Sequence, residues 1–322
     1  MDVLKLIESA KTECWKIDID EVGDVPTMLR PGERKMLHYF AKNMDFDGCV
    51  VDAGAFCGGS TISLASGLAR NSNKTTIHSY DMFVAPNDNY SLRLLGHNRK
   101  PGDDVLDIVK ENLGEYIRFI EFHQGDFTYK EPPDCAIDLL FIDLAKTWRL
   151  NRVIQTKFFG RLRPGRSIVV QQDFNFHGAP WVNILMQYFS DYFERVLDVA
   201  CSRVFFYKKE LPQDLLRIDL ERLPTQTKLE LIELSALATP HEGAKFTCRQ
   251  GKAWILFQEC GAETACSYLD EIRDQQPWGG ASHTDSLKTV FQNLRDLDGY
   301  NAYFANFFSR MSSGSASDRS TK

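Results

Sequence analysis

Short apolar runs, each bounded by polar or turn-forming residues, recur between Cys49 and Lys209: CVVDAG, TIHSYDM, IRFIEFHQGD, IDLLFIDL and RSIVVQQD. Runs this brief and continuous suit strands buried on both faces, and the longer stretches between them suit crossover helices. The pattern therefore predicts a parallel sheet with helices on both sides. The last two runs, FERVLDVA and SRVFFYKK, are separated only by Cys201. A parallel pair needs a crossover of about a dozen residues or more, so these two are expected to form an antiparallel hairpin.

Outside this region the period changes. LKLIESA and GERKMLHYFAKNM carry apolar residues at helical spacing, and Arg30-Pro31-Gly32 marks the turn that starts the second helix. Beyond Leu211, TKLELIELSAL, AETACSYLDEIRDQ and DSLKTVFQNLRDL read as amphipathic helices, with a short strand at KAWILFQ. The predicted organisation is a helical N-terminal cap over 1–45, a sheet domain over 46–209, a mainly helical extension over 210–311, and a tail over 312–322. That tail, in SSGSASDRSTK, is too small and polar to pack and is expected to be disordered. No internal repeat is seen.

The 322 residues, 43% of them hydrophobic, suffice for one large elaborated domain or two modest ones. Asp and Glu outnumber Lys and Arg by 44 to 38, giving a net charge of −6 and no general attraction for nucleic acid or anionic membranes. The eight cysteines, Cys14, Cys49, Cys57, Cys135, Cys201, Cys248, Cys260 and Cys266, form no CxxC pair and are read as reduced thiols. With no signal-peptide pattern at the start and no membrane-length apolar stretch, a soluble cytoplasmic protein is expected.

The chemistry centres on VVDAGAFCGGSTISLASGLA, where an apolar run meets Asp52, Gly54 and the Gly58-Gly59 pair. Such glycines let the backbone turn tightly and approach a ligand, with helix amides near Ser60 and Thr61 as donors. The stretch lacks GxxxxGK[ST], and Phe56 stands where GxGxxG has its second glycine, which disfavours pyrophosphate and a nicotinamide dehydrogenase. Asp81 and Asp126 end later strands, where carboxylates meet ribose hydroxyls or an adenine amino group. Taken singly, each is as readily a helix cap or a solvated strand end.

These motifs resemble the class I S-adenosylmethionine-dependent methyltransferases, especially the catechol-type and sugar O-methyltransferases. The resemblance covers roughly residues 28–209 through DAGAFCGGS, Asp81-Met82, Gly125-Asp126-Phe127, LLFIDLAKTW, LRPGRSIVV and the terminal hairpin. It implies an α/β, Rossmann-like seven-stranded sheet with the last strand antiparallel. It also implies that Gly54, Phe56 and Ser60 line the methionine and ribose side of the cofactor. Asp81 would take the ribose hydroxyls, Met82 would pack on adenine, and Gly125, Asp126 and Phe127 would complete the pocket.

Asp143, ending IDLLFID, and Lys146 fall at the carboxyl edge where open α/β sheets bind ligands. In the family a similar Asp holds magnesium and a similar Lys removes the acceptor hydroxyl proton. A desolvated Lys146 with a lowered pKa would serve as that base; its other reading is a surface lysine opening a helix. Asp143, Gln172 and Asp173 would form a weak magnesium site, or one that has lost its metal, because Gln contributes no charge. His177 is a second candidate base, and Trp148 and Trp181 either stack on an acceptor ring or pack beneath the helical extension. The long loop MFVAPNDNYSLRLLGHNRKPGDD is a candidate lid or homodimer contact. The leading expectation is methylation of a hydroxyl on a small molecule or sugar. The alternatives are N-methylation, disfavoured because no Asn/Asp-Pro-Pro-Tyr/Phe motif is present, and a silent cofactor-binding regulator.

Overall fold

The computed structural model of the protein describes residues 3–96, 99–275 and 282–293. The expected disordered tail lies outside these, as does the end of the last predicted helix. All seven strands predicted between Cys49 and Lys209 form: β1 Cys49–Ala53, β2 Ile77–Asp81, β3 Ile120–Gln124, β4 Ile137–Ile142, β5 Ile168–Gln171, β6 Phe193–Val199 and β7 Ser202–Tyr207. They build one sheet in the order β3-β2-β1-β4-β5-β7-β6. The first five are parallel, and β7 pairs antiparallel with both β5 and β6. This is the seven-stranded architecture with an antiparallel hairpin that the motifs implied.

Alternation of side chains along each strand divides the core. Val50, Leu139, Phe141, Ile168, Val170 and Val204 face one layer, packed with α1 Val3–Glu13, α2 Pro31–Asn43 and α3 Gly59–Ala69. Val51, Ala53, Leu140, Ile142, Val169 and Phe205 face the other. Between α3 and that second layer the chain adds two short helices, α4 Asn89–Leu94 and α5 Leu106–Leu113. The second layer begins with α6 Trp148–Val153 and α7 Pro180–Tyr188 and continues through α8 Gln213–Leu216, α9 Thr225–Leu237, α10 Glu242–Cys260, α11 Ala262–Ile272 and α12 Ser282–Asn293. Phe246, Trp254 and Phe291 of the extension belong to the same apolar cluster as Val51 and Ile142 of the sheet.

The strand expected at KAWILFQ does not form; the segment lies within α10. An apolar run of this length fits a buried helix as well as a strand. Here Ala253, Trp254 and Ile255 are all buried because α10 packs against α7, α9 and α11 at once.

At the end of the sheet opposite the glycine turn, Asp138 clamps three segments. Its carboxylate is fully buried and accepts from the Asp47 and Gly48 amides at 2.9 and 2.7 Å and from Arg163 Nε at 3.1 Å. The clamp fixes the start of β1 against β4 and the approach to β5. Among the described residues, no helix is long and apolar enough to cross a membrane, and the eight cysteines are free thiols.

Candidate active site at the carboxyl edge

The parallel ladder runs one residue beyond the strands and sets the site in a row. Gly125 N–H donates to Asp81 O (2.9 Å), Gly54 N–H to Tyr80 O (2.9 Å), Asp143 N–H to Ala53 O (2.7 Å) and Gln172 N–H to Ile142 O (2.9 Å). Gly54 has φ +109°, and a Cβ there would lie 2.9 Å from the Asp143 carbonyl carbon. The turn and the end of β4 therefore touch backbone to backbone. Phe56 and Asp173 also take positive φ, 47° and 59°, an uncommon conformation for residues with side chains. Strained backbone thus follows the row at its centre, after Gly54, and at its β5 end, after Gln172.

The glycine turn is braced from beneath. Asp52 is fully buried and accepts hydrogen bonds from the Ser60 and Thr61 hydroxyls at 3.0 and 2.5 Å. Its Oδ1 has no hydrogen-bond partner, and burial pushes its carboxyl up to about 6 despite those two hydroxyls. Asp52 and Ser60 thus hold the first turn of α3 to β1. Asp81 accepts from the Phe56 amide at 3.0 Å and the Phe83 amide at 2.8 Å. Burial raises its pKa against those hydrogen bonds. Met82, beside it, is half exposed at 51%. Gly125 takes φ +121°. Asp126 turns its carboxylate onto the Thr128 amide and hydroxyl, which lower its pKa, and Phe127 is buried against Phe158 with ring centres 4.7 Å apart.

Asp143, Lys146, Gln172 and Asp173 converge. Lys146 Nζ donates to Asp143 Oδ1 at 2.9 Å, to Gln172 Oε1 at 3.3 Å and to Asp173 Oδ2. The positive φ at Asp173 accompanies this close approach. The expected lowering of the Lys146 pKa is reversed. Burial favours the free amine, but the Asp143 and Asp173 charges overcome it and hold the group as an ammonium. Asp143 is itself pushed upward, chiefly by burial, with Lys146 opposing and Asp173 and Glu33 reinforcing the rise.

The same geometry tests the magnesium expectation. The Lys146 ammonium sits at the point where the three donor oxygens meet, so the place a cation would take is filled by the chain's own charge. Two carboxylates and an amide already shared with a lysine do not fit an added hard dication.

His177 and the two tryptophans lead elsewhere. His177 is 1% exposed with its ring 4.6 Å from Phe176, and its carbonyl lies against Gly251 of α10. Trp181 is 2% exposed and donates to the Ala145 carbonyl at 2.6 Å, while Trp148 donates to Gln258 of α10 at 3.4 Å. All three join the edge of the site to the helical extension.

Two residues not singled out from sequence complete the surroundings. Glu33, at the third position of α2, is buried; it accepts from the Ser202 hydroxyl at 2.6 Å and reaches back to the Arg30 amide at 2.9 Å. Burial raises its pKa, Asp173 adds repulsion, and Ser202 opposes both. Thr27 closes over Gly59, where a Cβ would clash with the Oγ1 of its side chain. The signal available for Glu33 was the acid three residues after Arg30 at a proline-started helix. The loop after Asp81 is zipped at its base by Ala85 N–H to Asp103 O and Val105 N–H to Phe83 O, at 2.8 and 2.9 Å.

No sequence-family profile and no curated protein matches the chain. Several solved structures align with part of it. The O-methyltransferase NovP is 14% identical over 65% of this chain and 100% of its own, with a TM-score of 0.41. The SAH-bound methyltransferase PaMTH1 of Podospora anserina is 13% identical over 63% of this chain and 88% of its own, at 0.36. Human N-acetylserotonin methyltransferase in complex with SAM is 11% identical over 62% and 59%, at 0.33.

Proposed function

We propose that the protein is an S-adenosylmethionine-dependent methyltransferase acting on a hydroxyl of a small molecule or sugar. The observation that carries this reading is the row formed by Gly125, Asp81, Gly54, Asp143 and Gln172, with a lysine–carboxylate cluster beside the glycine turn. The residues fit a nucleoside sulfonium. Gly54 lets the turn close backbone to backbone on the end of β4, Asp81 retains lone pairs beyond the Phe56 and Phe83 amides, and Met82 offers an exposed apolar surface next to it.

When bound, the cofactor supplies an electrophilic methyl group. The chain's own part is alignment and proton management. An acceptor hydroxyl placed at the cluster would donate to Asp143 or Asp173, and that carboxylate would take its proton while the bound cofactor supplied the methyl group. The Lys146 ammonium stabilises the negative charge that develops on the oxygen. Lys146 thus acts as electrostatic partner to a carboxylate base. The loop after Asp81 is read as the lid that excludes water from this step.

Calorimetric titration with S-adenosylmethionine and S-adenosylhomocysteine tests the reading directly; absence of binding removes it. A second reading is favoured by the saturation of Lys146 by its neighbours: a cofactor-binding protein without turnover. Tight cofactor binding with no methyl transfer across a broad panel of hydroxylated acceptors selects that alternative.

A further inference from the structure

A second cluster of metal-ligating side chains lies toward the other end of the sheet. Because strand residues two apart share a face, Glu121 and His123 project from the same side of β3. The parallel register sets His78 of β2 opposite Glu121 and Tyr80 opposite His123. His78 Nδ1 and His123 Nε2 are 3.0 Å apart. The Glu121 carboxylate straddles them, with Oε2 3.6 Å from His78 Nδ1 and Oε1 3.5 Å from His123 Nε2.

We propose that His78 Nδ1, His123 Nε2 and the Glu121 carboxylate form a site for one divalent transition-metal ion of the zinc class. The triangle has the right size: ligands at roughly 2.0–2.1 Å from a tetrahedral zinc stand about 3.3 Å from one another. The rings are also held in place. His123 stacks on Tyr80 with centres 4.2 Å apart and planes 9° from parallel, and the second nitrogen of His78 faces the Cys135 thiol at 3.9 Å. That contact uses Nε2 and leaves Nδ1 to face His123 and Glu121.

His78 lies three residues before Asp81, roughly 10 Å along the strand from the carboxyl edge. The site is therefore separate from the methyl-transfer cluster. It would staple β3, the edge strand of the sheet, to β2, with water or an exogenous ligand in the fourth position. Imidazole and carboxylate ligands suit zinc, cobalt or nickel better than magnesium or calcium. Cys49, His78 and Cys135 form a competing set through the other nitrogen of His78, and the test separates the two.

The full-length protein, stripped with chelator, is titrated with zinc sulfate and separately with cobalt chloride. The expected result is one site lost selectively in Glu121→Gln, weakened at least by the 10–100-fold that even an outer partner costs. The cobalt complex should lack thiolate charge-transfer absorption. Glu121 is a surface side chain, 59% exposed, so that variant should fold. Thermal stabilisation by zinc in the parent and not in Glu121→Gln gives an independent readout. Equal zinc affinity in both proteins, or a thiolate band in the cobalt spectrum, overturns the assignment.

Discussion

Gly54→Ala and Gly58→Ala form a matched pair that isolates the backbone contact between the glycine turn and the end of β4. Both positions take positive φ, +109° and +92°, so each substitution carries backbone strain of roughly 1–2 kcal/mol. They differ in what the new methyl meets. At Gly58 it finds side-chain carbons of Val109 and Leu113 at 3.4 to 3.6 Å, ordinary contact. At Gly54 it meets the Asp143 carbonyl carbon at 2.9 Å and the Leu144 amide nitrogen at 3.1 Å. Comfortable carbon contact is about 3.5–4.0 Å, so the end of β4 must retreat by roughly 0.6–1 Å. Overpacking of this kind costs a further 1–3 kcal/mol or so, and a misplacement near 1 Å at a reacting group costs about a hundredfold in rate. Urea denaturation, cofactor titration and single-turnover methyl transfer should be measured on both variants. Gly58→Ala should lose about 1–2 kcal/mol of stability and keep binding, whereas Gly54→Ala should lose about 2–5 kcal/mol and about a hundredfold in transfer. Equal stability and equal turnover in the two would refute the contact as the element that registers Asp143 against the cofactor.

Three further outcomes follow from the same geometry. Lys146→Met should reduce methyl transfer by about 10²–10³-fold while leaving cofactor affinity nearly unchanged, since the Lys146 amine bonds to Asp143, Asp173 and Gln172 among the described residues; unchanged transfer excludes it from the reaction. Burial raises the Asp52 carboxyl from 3.8 to about 6 in the folded protein. The folded state therefore holds that proton more tightly, and the stability it contributes at low pH is lost as pH rises from about 4 through 6. At about 1.4 kcal/mol per pKa unit, Asp52→Asn should gain roughly 3 kcal/mol relative to the parent between pH 4 and pH 7, and parallel pH profiles would contradict this. Asp138→Ala removes the acceptor of the Asp47 and Gly48 amides and one of the two carboxylates bonded to Arg163, and should cost about 1–3 kcal/mol in chemical denaturation; no measurable loss would show the clamp to be redundant.

The sheet was legible because each buried strand is a short apolar run ending in Asp, Gly or Gln, and because one residue between FERVLDVA and SRVFFYKK leaves room only for a hairpin. KAWILFQ was not, because burial of a helix on several sides erases its polar face and with it the period that separates helix from strand. Lys146 could be placed from its distance to Asp143, but its charge state could not. That depends on the residue-173 turn, whose positive φ brings a carboxylate from the next strand to the amine. His177 looked like a loop histidine until α10, remote in sequence, covered it. Glu33 acts across a distance that only α2 packing against the hairpin closes. The His78, Glu121 and His123 triangle becomes visible only once the β2–β3 register is known.

The shared core of the sheet and helical extension bears on how the chain is made. Synthesis completes β7 at Tyr207 before Thr225, the first residue of α9, has left the ribosome. Until α9 and α10 emerge, α7, whose Trp181, Val182, Leu185 and Met186 are buried in the finished molecule, lacks the two helices that pack against its outer side. The nascent protein thus passes through a stage with its sheet complete and one greasy flank bare, the kind of surface on which chaperones act and aggregates start. Folding of the carboxyl edge is finished from beyond the sheet, when α10 closes over the carbonyl of His177.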